Sequence, residues 1–200
     1  MTRVSAFRRL LRDRRGNTFV EFGFVAPVMV LVLMGLGEVL YQPYVQSVLS
    51  GAVQKAGRDS AIEDSVLSAS VTNAVDQKVR NAVSGIAKGA TFDFKRDSYT
   101  SFGLIKPEHF YDTDGDDTRD ANECFDDVNN NGSWDVRPGR AGQGGADDVT
   151  EYTVTVVYKR VFPVAKLIGL GDTNTITAKT ILKNQPFDAQ KTQSIPKVCP

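Results

Sequence analysis

Apolar residues fall along this chain in three patterns, and each predicts a different kind of element. From Phe22 to Gly37 sixteen residues, FGFVAPVMVLVLMGLG, carry no charge. As a helix this run covers about 24 Å, short of the roughly 30 Å hydrocarbon core of a bilayer. Extension back to Asn17 gives about 31 Å, enough to span, and places Glu21 inside the span near one end, where an ionisable group is costly. Beyond Gly37 the apolar residues thin to a stripe, with Val45, Val48, Leu49, Ala52, Val53 and Ala56 at three- and four-residue steps. That spacing predicts an amphipathic helix that leaves the membrane and lays one face on a domain. Pro27 and Pro43 are expected to bend it or break it locally.

A second helical period runs through residues 59–89, with Ile62, Val66, Val71, Ala74, Val75, Val79 and Val83 on one side and Gly85 and Gly89 at its end. The third pattern is alternation. It predicts strands at ATFDFKR (90–96), EYTVTVVYKRVF (151–162) and TNTITAKTILK (173–183), half-buried and antiparallel. Between the last two, PVAKLIGLG is too short to span and reads as a covered turn or short helix. The order predicts an α+β fold: a long N-terminal transmembrane and amphipathic helix packed on a small antiparallel sheet, with a long acidic loop at 111–148.

Charge sharpens the division. The 200 residues are formally neutral, yet Arg3, Arg8, Arg9, Arg12, Arg14 and Arg15 precede the apolar run against one acid, Asp13. A basic leader thus heads an acidic body, which argues against nucleic acid as a partner and sets the leader on the cytoplasmic side. A cleaved secretory signal competes with a retained anchor, but GLGEVLYQPY offers no small-x-small exit. The expected segments are a leader at 1–16, the helix at 17–58 and an exported body at 59–200.

Gly16 stands five positions before Glu21, with arginines at 14 and 15. This resembles the processing site of type IVb prepilins and pseudopilins, in which a membrane peptidase cuts after a glycine and leaves glutamate as the fifth residue. By that resemblance Asn17 becomes the first residue, Glu21 the fifth and Phe22 the aromatic sixth. The stretch VEFGFVAPVMVLVLMGLGEVLYQPYVQSVLSGAVQKAGR is similar to the N-terminal signature of TadE-like proteins of the tight-adherence (Tad) pilus. Its VEF triplet, Pro27, Gly37, Glu38 and the ending from Ala52 to Gly57 and Arg58 carry the likeness, with Pro43 a departure. The resemblance implies a non-enzymatic minor pilin or pseudopilin of pilin-like fold, held single-pass in the inner membrane with its body periplasmic or extracellular. It implies prepilin peptidase, other Tad pilins, the inner-membrane pilus machinery and the lipid bilayer as partners. It also implies that Glu21 meets the amine of a neighbouring subunit. The residues alone leave two other arrangements open: a pair with the amine at Asn17 of the same chain, or a carboxylate that snorkels to the interface.

The acidic loop aligns twice on a 12-position EF-hand calcium loop. The first register places ligands at Asp112, Asp114, Asp116, the Thr118 carbonyl, Asp120 and Glu123, but puts Asp117 where the sharp turn wants glycine. The second reads Asp127, Asn129, Asn131, the Ser133 carbonyl and Asp135, with Gly132 at the turn but Pro138 at the closing position. A structural calcium site and a solvated Asp/Asn/Gly loop both fit. The two cysteines, Cys124 and Cys199, are expected to pair in an oxidising compartment; separate thiols or an intermolecular bond are the alternatives. His109 is the sole histidine, GQGGADD lacks the lysine of a phosphate cradle, and no nucleophile motif is present, so a non-enzymatic protein is expected. An uncleaved, membrane-anchored, calcium-dependent binding or adhesion module is the competing function.

Overall fold

A computed structural model of the chain describes residues 17–62, 69–162, 164–167, 169–186, 189–190 and 194–200. Helix α1 (Asn17–Ile62) and helix α2 (Ala69–Ser84) precede β1 (Thr91–Tyr99), a 3-10 turn (Phe102–Leu104), and the two-residue strands β2 (Phe125–Asp126) and β3 (Arg140–Ala141). Strand β4 (Val149–Lys159), a four-residue helix α3 (Val164–Leu167), β5 (Thr173–Lys183) and β6 (Lys197–Val198) complete the order. The α+β architecture expected from the pattern is therefore present. The described chain forms two compact units, one made of residues up to Pro43 with Arg160–Asp172, the other of Tyr44–Lys159 and Thr173–Pro200.

In the first unit the apolar side chains of α1 point outward all round, with Phe19 83% and Phe24 78% exposed. A helix apolar on every side requires lipid or other helices around it. α1 runs without interruption through Pro27 and Pro43, so the expected local break does not occur. Each proline removes only one ladder hydrogen bond, and spanning helices tolerate that loss. At the far end of the apolar run Arg160 donates to Glu38 at 2.9 Å, and the Phe162 N–H donates to the same carboxylate. Gly37 faces the Phe162 ring so closely that a Cβ there would lie 2.9 Å from a ring carbon.

The second unit is a two-layer sandwich. Its sheet runs β3-β1-β4-β5, antiparallel throughout. Registers such as Phe94↔Val154 and Val154↔Ala178 put Phe92, Phe94, Tyr152, Val154, Val156, Ile176 and Ala178 on one face. Against that face lie the buried stripe of α1 (Val45, Leu49, Val53, Ala56) and of α2 (Val75, Val79, Val83). Each fully buried Val or Leu contributes about 1.5–3 kcal/mol. Gly57 lets α1 approach β5, since a Cβ there would sit 2.8 Å from Thr180 Cγ2. Asp76 of α2 accepts hydrogen bonds from Arg96 and from the Tyr152 hydroxyl, the latter at 2.7 Å. Burial first, then Asp76, pushes the Tyr152 phenol far above its usual range.

Several local expectations shift. α1 extends past Arg58 to Ile62, so Ile62 belongs to it, and Val66 lies outside the described residues. Ala74 is exposed, because the buried side of α2 follows Val75, Val79 and Val83. PVAKLIGLG does contain a short helix, but Leu167 and Leu170 are 72% and 49% exposed, so it is not covered. A Cys124–Cys199 disulfide joins the tail to the acidic loop, and β6 pairs with β2 beside it. Closing 75 residues of chain stabilises the fold by about 4 kcal/mol in the chain-entropy treatment.

Candidate functional site

Two places gather the residues singled out from the sequence: the start of α1 and the acidic loop. At the first, Gly16 lies outside the described residues, while Asn17 opens α1. Glu21 and Phe22 lie exposed on the helix surface one turn further on, Phe22 at 59%. None of the residues in the most apolar 18-residue stretch of this helix is buried, and length and composition suffice for a single membrane span.

At the second, the two calcium-loop registers fold into the same backbone shape. Position 1 accepts the N–H of position 6 in both: Asp117 to Asp112 at 2.9 Å, Gly132 to Asp127 at 2.7 Å. Position 3 accepts position 5, with Asp114 and Asn129 holding the N–H of Asp116 and Asn131. Position 5 accepts position 7, with Asp116 and Asn131 each 2.7 Å from the N–H of Thr118 and Ser133. Positions 4 and 6 are left-handed in both loops: Gly115 and Asp117 at φ 81° and 59°, Asn130 and Gly132 at 57° and 77°. Asp117 thus meets the turn requirement in place of glycine, since Asp and Asn enter this region more readily than other side chains.

Each loop is also closed by a buried glutamate. Glu123 accepts the N–H groups of Thr113 (2.7 Å) and Asp120 (3.1 Å), positions 2 and 9 of the first loop. The second loop is closed not from downstream but by Glu108, which accepts Val128 and Asp135, again positions 2 and 9, at 2.8 Å each. Each glutamate N–H returns to the position-9 carbonyl, Glu123 to Asp120 and Glu108 to Asp135. Sequence reasoning missed Glu108 because the template looks forward from the first aspartate. The signal that reveals it is a repeat: EHFYDTDGDD and ECFDDVNNNG match at a spacing of fifteen residues. Phe110 and Phe125 hold equal places in the two copies and bridge each other antiparallel. The copies exchange glutamates, each closing the other's loop.

The interiors differ. In the first loop carboxylate oxygens of Asp112, Asp114 and Asp116 lie within 4.8 Å of one another. Asp112 is held below its usual range by the Asp117 and Gly115 N–H groups, whereas Asp114 is raised by loss of water and then by the Asp116 charge. In the second loop Asn129 and Asn131 donate their amides to Asp135 at 2.9 and 2.7 Å. Backbone donors from Thr113 and Asp120 lower Glu123, while burial raises Glu108 against its own two. GQGGADD is a turn pinned by Asn184, whose amide donates to Gln143 O and Gly145 O, each at 2.8 Å. His109 lies exposed, 3.6 Å from Asp126.

A family model described as TadE-like protein matches residues 16–58. The likeness read from the VEF triplet to Arg58 is therefore borne out over that stretch, about a fifth of the chain. No curated protein matches, and no solved structure matches.

Proposed function

We propose that this chain is a non-enzymatic minor pilin or pseudopilin acting in the assembly of a Tad-type pilus. In this reading a prepilin peptidase cuts after Gly16 on the cytoplasmic side of the inner membrane. The body then lies on the periplasmic or extracellular side, and the partners are other Tad pilins and the pilus machinery. The observation that carries the reading is the match of residues 16–58 to TadE-like protein, of which residues 17–58 lie on one helix whose first half exposes apolar side chains on every side. Such a surface suits transfer between lipid and a bundle of like helices. Glu21, one turn after Asn17, becomes the fifth residue and takes the amine of a neighbouring subunit as its partner, which offsets the cost of a carboxylate at that depth. The test is chain length in the membrane fraction: wild type is shortened and Gly16→Ala is not. Equal lengths would overturn the reading.

We further propose that the paired acidic loops hold calcium as a structural ion, which also supports the competing reading of a membrane-anchored, calcium-dependent binding module. The donor set fits a hard cation: carboxylate, amide and carbonyl oxygens, each carboxylate keeping lone pairs beyond those facing N–H groups. Residues Asp112, Asp114, Asp116, Thr118, Asp120 and Glu123 would hold one ion; Asp127, Asn129, Asn131, Ser133, Asp135 and Glu108 would hold another. Three converging carboxylates in the first loop gain most from a cation, whereas in the second two amides already donate hydrogen bonds to Asp135. The two functional readings separate on processing, since the binding module needs no cut after Gly16.

A further inference from the structure

The hairpin tip between β4 and β5 carries an exposed apolar surface that neither the pilus reading nor the acidic loops use. Val161, Leu167 and Leu170 are 53%, 72% and 49% exposed within a tip of thirteen residues. The tip is a built structure. Arg160 N–H donates to Asp172 O at 2.9 Å, its Nε donates to Gly171 O at 2.8 Å, and Lys166 pairs with Asp172 at 3.0 Å.

Its position along α1 is fixed by the same arginine. Its Nη1 donates to Glu38 at 2.9 Å, and Phe162 fills the space over Gly37. Gly37 is the last residue of the uncharged run 22–37, and Glu38 is the first charge after it. The tip is therefore held where the helix leaves hydrocarbon. At the same level α1 exposes Val39 and Leu40, at 69% and 60%, so the apolar surface of the span continues past Glu38. The Glu38 charge there is matched by Arg160, both being largely shielded from water.

We propose that the β4–β5 tip seats in the interface of the bilayer that α1 crosses, with Val161, Leu167 and Leu170 among the lipid chains nearest the headgroups. The occupant is lipid because Phe162 and Arg160 tie the tip to Gly37 and Glu38, at the depth where the apolar surface of α1 meets headgroups. Apolar side chains beside the exposed Lys166 suit such a layer, where a cationic head reaches the water side. The contact gives the chain a second membrane attachment, fixing the rotation of α1 where it emerges. It rests on α1 spanning a membrane and holds whether or not the chain is cut after Gly16.

The test uses the full chain in lipid nanodiscs, with Leu167→Trp and, as a second position, Leu170→Trp; wild type, whose single tryptophan is Trp134, supplies the baseline. The added tryptophan should emit at shorter wavelength than in water. Lipids brominated near the headgroup should quench it severalfold more than lipids brominated at the chain ends. Quenching by aqueous iodide with none by brominated lipid at both positions would overturn the proposal. So would a blue shift that appears only when several copies share a disc and is insensitive to bromine, because the tip would then be covered by protein.

Discussion

The two acidic loops share a backbone and differ in what fills it. In the first, Asp112, Asp114 and Asp116 converge with a left-handed Asp117 at the turn; in the second, amides stand at two of the three places and Gly132 makes the turn. Since both adopt the same hydrogen-bond pattern, the charge of the side chains does not set the shape. The repeated spacing of Asx acceptors, the paired left-handed positions and the buried glutamate do. Charge sets instead what each loop needs from its surroundings. The amide-filled loop satisfies itself, while the carboxylate-filled loop concentrates repulsion that a cation would relieve.

The strongest way to break this comparison is to remove the exchanged glutamates. Glu108→Ala leaves the Val128 and Asp135 N–H groups without their acceptor and should cost about 1–3 kcal/mol. Glu123→Ala acts in the same direction on Thr113 and Asp120. Hydrogen exchange should show the crossing: the change at 108 loosens 127–135, and the change at 123 loosens 112–120. If each variant loosened only its own repeat, the exchange of glutamates would be refuted.

A smaller effect separates the interiors. Millimolar calcium should raise the melting temperature of the detergent-solubilised full chain beyond what sodium of equal ionic strength does. Asp114→Ala should remove most of that shift and Asp127→Ala the remainder. A shift that survives Asp114→Ala unchanged would contradict the assignment of the greater demand to the first loop.

The smallest effect is the pH dependence in calcium-free buffer, where the loops carry opposite signs. Glu123 and Asp112 titrate below their ordinary 4.5 and 3.8, so the stability they contribute is present above those values and is lost as pH falls through the folded ones. Glu108 titrates above 4.5, so its charge costs stability at neutral pH, and that cost disappears as pH falls through its raised value towards 4.5. Glu108→Gln should flatten the mildly acidic side of the stability profile and Glu123→Gln the strongly acidic side. Identical profiles for the two variants would contradict the difference in environment.

Periodicity made the long elements readable from the chain. β5 occupies the expected 173–183, and the stripe from Val45 to Ala56 is the buried face of α1. What periodicity could not supply was anything fixed by distant partners. β2, β3 and β6 are two residues each and exist only through pairing with remote segments, and β1 continues through Asp97 to Tyr99 because β4 and β3 flank it. In the acidic loops the side-chain acceptors are visible as an Asp/Asn spacing, whereas Glu108 acts nineteen residues upstream of the loop it closes. The sequence leaves the Cys124–Cys199 bond beside separate thiols or an intermolecular bond, and the fold brings the two together. At the start of α1 the proposed processing rests on sequence alone, on the spacing of Gly16 and Glu21.

In the proposed function, residues 14–21 are a processing site followed by an assembly helix. Intact mass with N-terminal sequencing of the chain extracted from its native membrane tests it most directly. A chain beginning at Asn17 is the expected result. A chain still carrying the arginine leader, or one cut beyond Gly37 with the helix removed, would contradict it.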